Sequence, residues 1–322
     1  MSILLTRRNF VTSTASLVLG AAAGGRIAFA QAKSLVIATS LPSLSFPFFV
    51  HMQRQLQAEA KSLGDIRLIE TDGQNSVPKQ TADVEAAITQ KVNAIVISPL
   101  EVNAMAPALE QAVKAGIPVV TIDRQVRGVS GILAHVGADN VKGGEAQAEA
   151  IMRAFPNGAK IFHLQGQPGA GPAIDRNKGL HNVLDKAKDK YQIVFEQTAN
   201  FARAEGLSVT EAGLAGKGKP DVIVCANDDM ALGAMEAVKA RNLSGIAIYG
   251  FDALPEALKA IRAGQMAATI EQFPGEQSRE AMRIAVSYAR DSKKPDTQVK
   301  LITPVAITKE NVNKAERISE VS

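Results

Sequence analysis

Short apolar runs alternate with longer stretches of helical periodicity along most of this chain. Ile66–Glu70, apolar at Ile66, Leu68 and Ile69, reads as a strand, and Leu35–Ala38, Ala94–Ile97 and the run Val119, Val120 and Ile122 are aliphatic and bounded by turn residues. Such runs read as strands buried on both faces. Between the first two, Phe49, Met52, Leu56, Ala60 and Leu63 fall at helical spacing. Pro47 opens that helix and Gly64 ends it. Similar spacing predicts helices over about Pro78–Lys91 and Asn103–Ala115. The cycle then resumes with strands at Ile132–Val136, Ile161–Leu164, Ile193–Phe195, Val222–Val224, Ile246–Tyr249 and Ala267–Ile270. The intervening helices are predicted near Val141–Phe155, Ala173–Ala187, Arg203–Ala215, Met230–Ala240 and Pro255–Arg262. Strand–helix–strand units with short connections predict parallel sheets with right-handed crossovers. Two successive sets predict two doubly wound α/β lobes. An amphipathic helix at Glu276–Arg290 and strands at Val299–Ile302 and Val305–Ile307 close the chain. If these late elements return to the first lobe, the lobes share several crossings.

The polar positions gather where the strands end. Asp123-Arg124 follows the strand at Val119 and offers an acceptor-only group beside a forked donor. Asn227-Asp228-Asp229 follows Val222–Val224, where Asp228 or Asp229 could simply cap the next helix. Asp252 follows Ile246–Tyr249, and Glu271-Gln272 follows Ala267–Ile270. Aromatic rings gather there too: Phe46, Phe48 and Phe49 lie beyond the first strand, and Phe201 beyond Ile193–Phe195. Open α/β sheets bind ligands at the carboxyl ends of their strands. Acceptor–donor pairs with aromatic faces suit a small polyhydroxylated molecule. Other chemistry is poorly represented. The four histidines, His51, His135, His163 and His181, show no metal-ligand spacing, and no phosphate loop or nucleophile elbow is present. No catalytic group, metal or cofactor is expected.

Charge changes little once the amino terminus is set aside. Thr6-Arg7-Arg8-Asn9-Phe10-Val11, a mildly apolar stretch and Ala28-Phe29-Ala30 together read as a twin-arginine-like export signal over residues 1–30, cleaved after Ala30. That segment carries three arginines and no acid, so the formal +4 of the whole chain falls to +1 without it. The remainder offers no basic footprint for nucleic acid. The single cysteine, Cys225, sits in an apolar strand and reads as a small buried hydrophobe.

From Ser34 to about Thr308 the chain resembles the ribose/galactose branch of the bacterial periplasmic sugar-binding proteins, the type I periplasmic binding proteins. The matching pieces are Phe46-Pro-Phe-Phe, Thr121-Ile-Asp-Arg-Gln, Ala138-Asp-Asn with Gly143-Gly144, Ala226-Asn-Asp-Asp-Met-Ala-Leu-Gly, Gly250-Phe-Asp and Ala267-Ala-Thr-Ile-Glu-Gln. The resemblance implies two lobes joined by three hinge crossings, residues 34–137 plus 273–302 and 138–272 plus 303–322. It implies a sugar held between them and delivered to an ABC permease in the inner membrane by a periplasmic monomer. It assigns Phe48 and Phe201 to the faces of the sugar ring, with Phe49 beside them. Asp123 and Arg124 bind hydroxyls from one side, and Asn227, Asp252 and Gln272 from the other. Two positions depart from the ribose pattern. Phe46 stands where that pattern has an asparagine, and Ile174 where it has an arginine, with Arg176 close by. These departures predict a ligand with an apolar edge, such as a deoxy sugar or short polyol; the charged groups so assigned, Asp123, Arg124 and Asp252, hold one more acid than base, a count that permits a cationic amino sugar.

Two other classes remain as alternatives at this point. A sugar-sensing regulator shares this core but needs a helix-turn-helix head, where residues 1–33 read as an export signal. A secreted α/β enzyme acting on a carbohydrate would show turnover of the bound sugar.

Overall fold

The computed structural model describes residues 34–321. The expected export signal and its cleavage site lie outside the described residues. The first part of the chain runs β1 (Leu35–Leu41), α1 (Pro47–Leu63), β2 (Ile66–Asp72), α2 (Val77–Thr89), β3 (Ala94–Ile97), α3 (Ala106–Lys114), β4 (Val119–Ile122) and β5 (Ala134–Ala138). The second runs α4 (Asn140–Ala154), β6 (Ala159–Gln165), α5 (Gly171–Leu184), β7 (Tyr191–Thr198), α6 (Arg203–Lys217), β8 (Val222–Cys225), α7 (Asp228–Ala240), β9 (Ala247–Tyr249) and α8 (Pro255–Arg262). Then come β10 (Thr269–Glu271), α9 (Pro274–Asp291), β11 (Val299–Ile302) and β12 (Val305–Ile307).

One sheet has the order β11-β5-β4-β3-β1-β2 and another β7-β6-β8-β9, with every pairing parallel. The reason lies in the strands. β3, β4 and β8 are buried at every position, as AIVI, VVTI and VIVC runs covered by helices on both faces must be. Helix starts are fixed locally. Ser76, Asp139 and Asn227 each accept a hydrogen bond from the backbone N–H three residues on, capping α2, α4 and α7. The cap of α7 is thus Asn227, with Asp228 and Asp229 in its first turn.

The late elements do return. α9 packs on α1 and over β1, β3, β4 and β5, and β11 pairs with β5. The chain passes between the two sheet systems after β5, between β10 and α9, and between β11 and β12. β10 and β12 lie on two of these crossings and pair antiparallel, Thr269 opposite Ile307. A parallel bridge from Tyr249 to Ala268 ties the β10 segment to the second sheet. No helix of the described residues is long and apolar enough to cross a membrane.

Candidate functional site

The carboxyl ends of strands from both sheets line one cleft with about 360 Å³ of empty space. Its walls are Phe46, Phe48, Phe49, Asp123, Arg124, Pro172, Arg176, Phe201, Asn227, Asp252 and Gln272. Nine of the ten residues expected from the sequence meet there. Ile174 does not: it is 39% exposed and points away. The buried positions of α5, Ala173, Arg176, Gly179 and Leu180, follow helical spacing, and Ile174 falls outside that stripe. Arg176 fills the place expected for Ile174, and Pro172 joins it. The expected loss of a guanidinium from the cleft is therefore corrected.

The polar side chains are held by neighbouring residues. Ser98 Oγ donates to Asp123 Oδ2 at 3.0 Å, and Arg124 Nη1 donates to the Leu100 carbonyl at 2.7 Å. Arg124 Nε lies 3.6 Å from Asp123 Oδ2. Across the cleft, Arg176 Nε donates to Asn140 Oδ1 at 2.9 Å and its Nη1 to the Ala226 carbonyl at 2.6 Å. Arg176 Nη1 is 3.6 Å from Asp252 Oδ1, which also accepts from Gln272 Nε2 at 2.6 Å. Asn227 spends its amide on the Phe201 carbonyl and its oxygen on the cap of α7. Among the described residues, Arg124 Nε and Gln272 Oε1 are buried with no hydrogen-bond partner. Buried polar atoms left open at a cavity mark where a ligand's groups fit.

The cleft carries two acids and two guanidiniums, a formal charge of zero. This corrects the count of one excess acid, and with it the room for a cationic ligand. Burial pushes the Asp252 carboxyl up to about 7, against the pull of Arg176 and the Gln272 hydrogen bond. Burial raises Asp123 as well, opposed by Arg124 and Arg176.

The aromatic walls are fixed by close packing. Phe48 and Phe49 meet edge to face with centroids 5.2 Å apart, and Phe46 meets Phe49 at 6.4 Å. The Arg124 guanidinium lies 5.4 Å from the Phe49 centroid and 5.8 Å from that of Phe201. Arg176 stacks on Phe251 at 3.5 Å. Three cleft residues hold left-handed backbone: Asp123 (φ 59°), Phe201 (φ 61°) and Asp252 (φ 111°). That is unusual for non-glycine residues and costs about 1–3 kcal/mol each where the surroundings enforce it. Phe201 turns into the cleft over Gly166, where a Cβ would fall 2.2 Å from the ring.

Residues 37–294 match the model of the periplasmic binding protein domain. The ribose import binding protein of Bacillus subtilis is 41% identical over 246 residues, 75% of this chain and 77% of that one. The D-apiose import binding protein of Paraburkholderia graminis is 31% identical over 313 residues, 96% of this chain and 97% of that one. Among solved structures, the Caulobacter myo-inositol binding protein bound to myo-inositol is 40% identical with a TM-score of 0.85, covering 90% of this chain and 99% of that one.

Proposed function

Because this chain belongs to the periplasmic binding protein family and is the sugar-binding component of an ABC importer, we propose that it clamps one neutral cyclic sugar or polyol, with myo-inositol the first candidate. The observation that carries this reading is the pair of buried acid–guanidinium couples, Asp123/Arg124 and Asp252/Arg176, facing one small cleft. Carboxylates accept from hydroxyls and guanidiniums donate to them, so vicinal hydroxyls satisfy both. The zero net charge favours an uncharged ligand. A cleft walled this closely by aromatic and charged side chains suits a single ring. Phe48 and Phe201 cover the two faces of that ring, and Phe46 and Phe49 close its edge.

myo-Inositol stands first because a solved neighbour 40% identical to this chain holds it; ribose, after the 41%-identical relative, stands second.

The lobes of this reading are residues 34–137 plus 273–302 and 138–272 plus 303–322. The ligand touches both only when they close, so it shifts the population toward the closed form. The closed monomer then docks on its membrane permease from the periplasm, after export and cleavage at Ala30. Its named relatives are binding proteins, and the ligand is released unchanged. Titration calorimetry with myo-inositol and ribose tests this, followed by chromatography of the ligand recovered from the denatured complex. One site per chain, tighter for myo-inositol, with unaltered ligand, is expected. Tighter ribose binding overturns the choice of ligand; conversion of the ligand overturns the binding role.

A further inference from the structure

The histidines show no metal-ligand spacing along the sequence, yet the fold brings two of them onto one carboxylate. His163 and Glu196 are register partners in the parallel β6–β7 pair, so their side chains leave the same face of the sheet. α5 lays His181 over them. His163 Nδ1 is 2.9 Å from Glu196 Oε1, and His181 Nε2 is 3.0 Å from the same oxygen. The three candidate ligand atoms all lie within 4.8 Å of one another, and the imidazole centroids are 5.9 Å apart. No other such group of three occurs among the described residues.

The surroundings are those of a supported site. His181 Nδ1 lies 3.1 Å from Asp185 Oδ1, one helical turn on. A carboxylate behind the far ring nitrogen of a histidine fixes its tautomer and turns the near nitrogen's lone pair inward. Gln165 Nε2 donates to Glu196 Oε1 at 2.6 Å and to Asn177 Oδ1 at 3.1 Å, which sets the glutamate's orientation. His163 is buried, while Glu196 and His181 are partly exposed, so an ion can enter from solvent. None of these residues lines the sugar cleft.

We propose that His163, His181 and Glu196 bind a late first-row divalent cation, Zn²⁺ foremost, through two imidazole nitrogens and one carboxylate oxygen. Two nitrogens with one oxygen suit Zn²⁺, Ni²⁺ or Cu²⁺ and discriminate against Mg²⁺ and Ca²⁺. Tetrahedral Zn²⁺ at about 2.0–2.1 Å from each ligand would replace the protons now shared with Glu196 and leave its fourth position to water. Binding releases those protons to solvent. The ion would pin α5 to β6 and β7, and α5 is the helix that carries Arg176 to the cleft.

The test uses the untagged protein, stripped with a chelator that is then removed. Zn²⁺ titration by calorimetry should give one site per chain with a Kd in the micromolar range or tighter. His181→Ala and Glu196→Gln, both at partly exposed positions, should each weaken it at least about tenfold while keeping wild-type sugar affinity in metal-free buffer. Co²⁺ offers a readout that needs no variant: the wild type should develop the intense visible absorption of a four-coordinate site. Failure to take up Zn²⁺ below about 100 µM, far weaker than built zinc sites, would overturn the proposal. So would unchanged uptake in both variants, or a weak six-coordinate Co²⁺ spectrum.

Discussion

Replacing Asp252 with asparagine probes the electrostatics of the cleft with almost no change of shape. Asp252 Oδ1 accepts from Gln272 Nε2 and lies 3.6 Å from Arg176 Nη1. A carboxylate accepting from ligand hydroxyls is worth about 1.5–3 kcal/mol, so Asp252→Asn should raise Kd by about ten- to a hundredfold. Apo stability should respond in the opposite sense at neutral pH. The Asp252 carboxyl stands at about 7 when folded, against about 3.9 for a free aspartate. A folded value raised in this way contributes stability that is full below the unfolded value and lost as pH rises through about 7. Asparagine cannot ionise, so the variant should lose less stability than the wild type between about pH 4 and 7. Burial also raises Asp123 and Asp228, and carries Asp229 to about 6 and Glu271 to about 7. The difference between variant and wild type, rather than either curve alone, therefore isolates Asp252. Ligand hydroxyls favour the ionised carboxylate, so wild-type affinity should fall as pH drops. About nine-tenths of a group with pKa 7 is protonated at pH 6, which weakens binding up to about tenfold relative to pH 8. The contribution of this group disappears in the variant. Calorimetry at pH 6 and pH 8, with thermal melts of the apo proteins, reads both effects. Wild-type affinity in the variant, or a melting temperature well below wild type at pH 7, would refute the reasoning.

Gly144→Ala should cost about 1–3 kcal/mol of stability, beyond any gain in helix propensity, and should weaken ligand binding. The new Cβ would sit 2.2 Å from the Arg176 carbonyl oxygen, so α5 must move outward with Arg176; denaturant titration and calorimetry check it, and wild-type values in both would contradict it. Cys225 is fully buried and burial pushes its thiol up, so an aromatic disulfide reagent should leave it untouched until the fold is denatured. Replacing Arg7 and Arg8 together with lysine should leave precursor in the cytoplasm; undiminished periplasmic delivery in cell fractions would favour the general export route.

The central strands were legible because burial on both faces leaves continuous aliphatic runs; β11, β12 and α8 also fall at the residues expected, although β11 and β12 are partly exposed. The return of α9 and β11 to the first sheet was not fixed by pattern, since a parallel partner leaves no local mark. α5 misled for a specific reason. The resemblance placed Ile174 at the cleft, two residues before Arg176, and hydrophobicity could not correct the offset, because the apolar Ile174 is exposed and the charged Arg176 buried. The small residues Ala173 and Gly179 at helical spacing around Arg176 were the signal that could have fixed the phase. The left-handed backbone at Asp123, Phe201 and Asp252 carries no glycine to announce it. His163, His181 and Glu196 lie far apart in the chain, and only the β6–β7 register and the path of α5 join them.

A crystal structure of the protein grown with myo-inositol is the most direct test of the central claim. One ring should lie in the cleft between Phe48 and Phe201. Its hydroxyls should stand within about 3 Å of the Asp123 and Asp252 carboxylates and the Arg124 and Arg176 guanidiniums. A ring bound elsewhere, or a cleft left empty while calorimetry shows a saturated site, would contradict it.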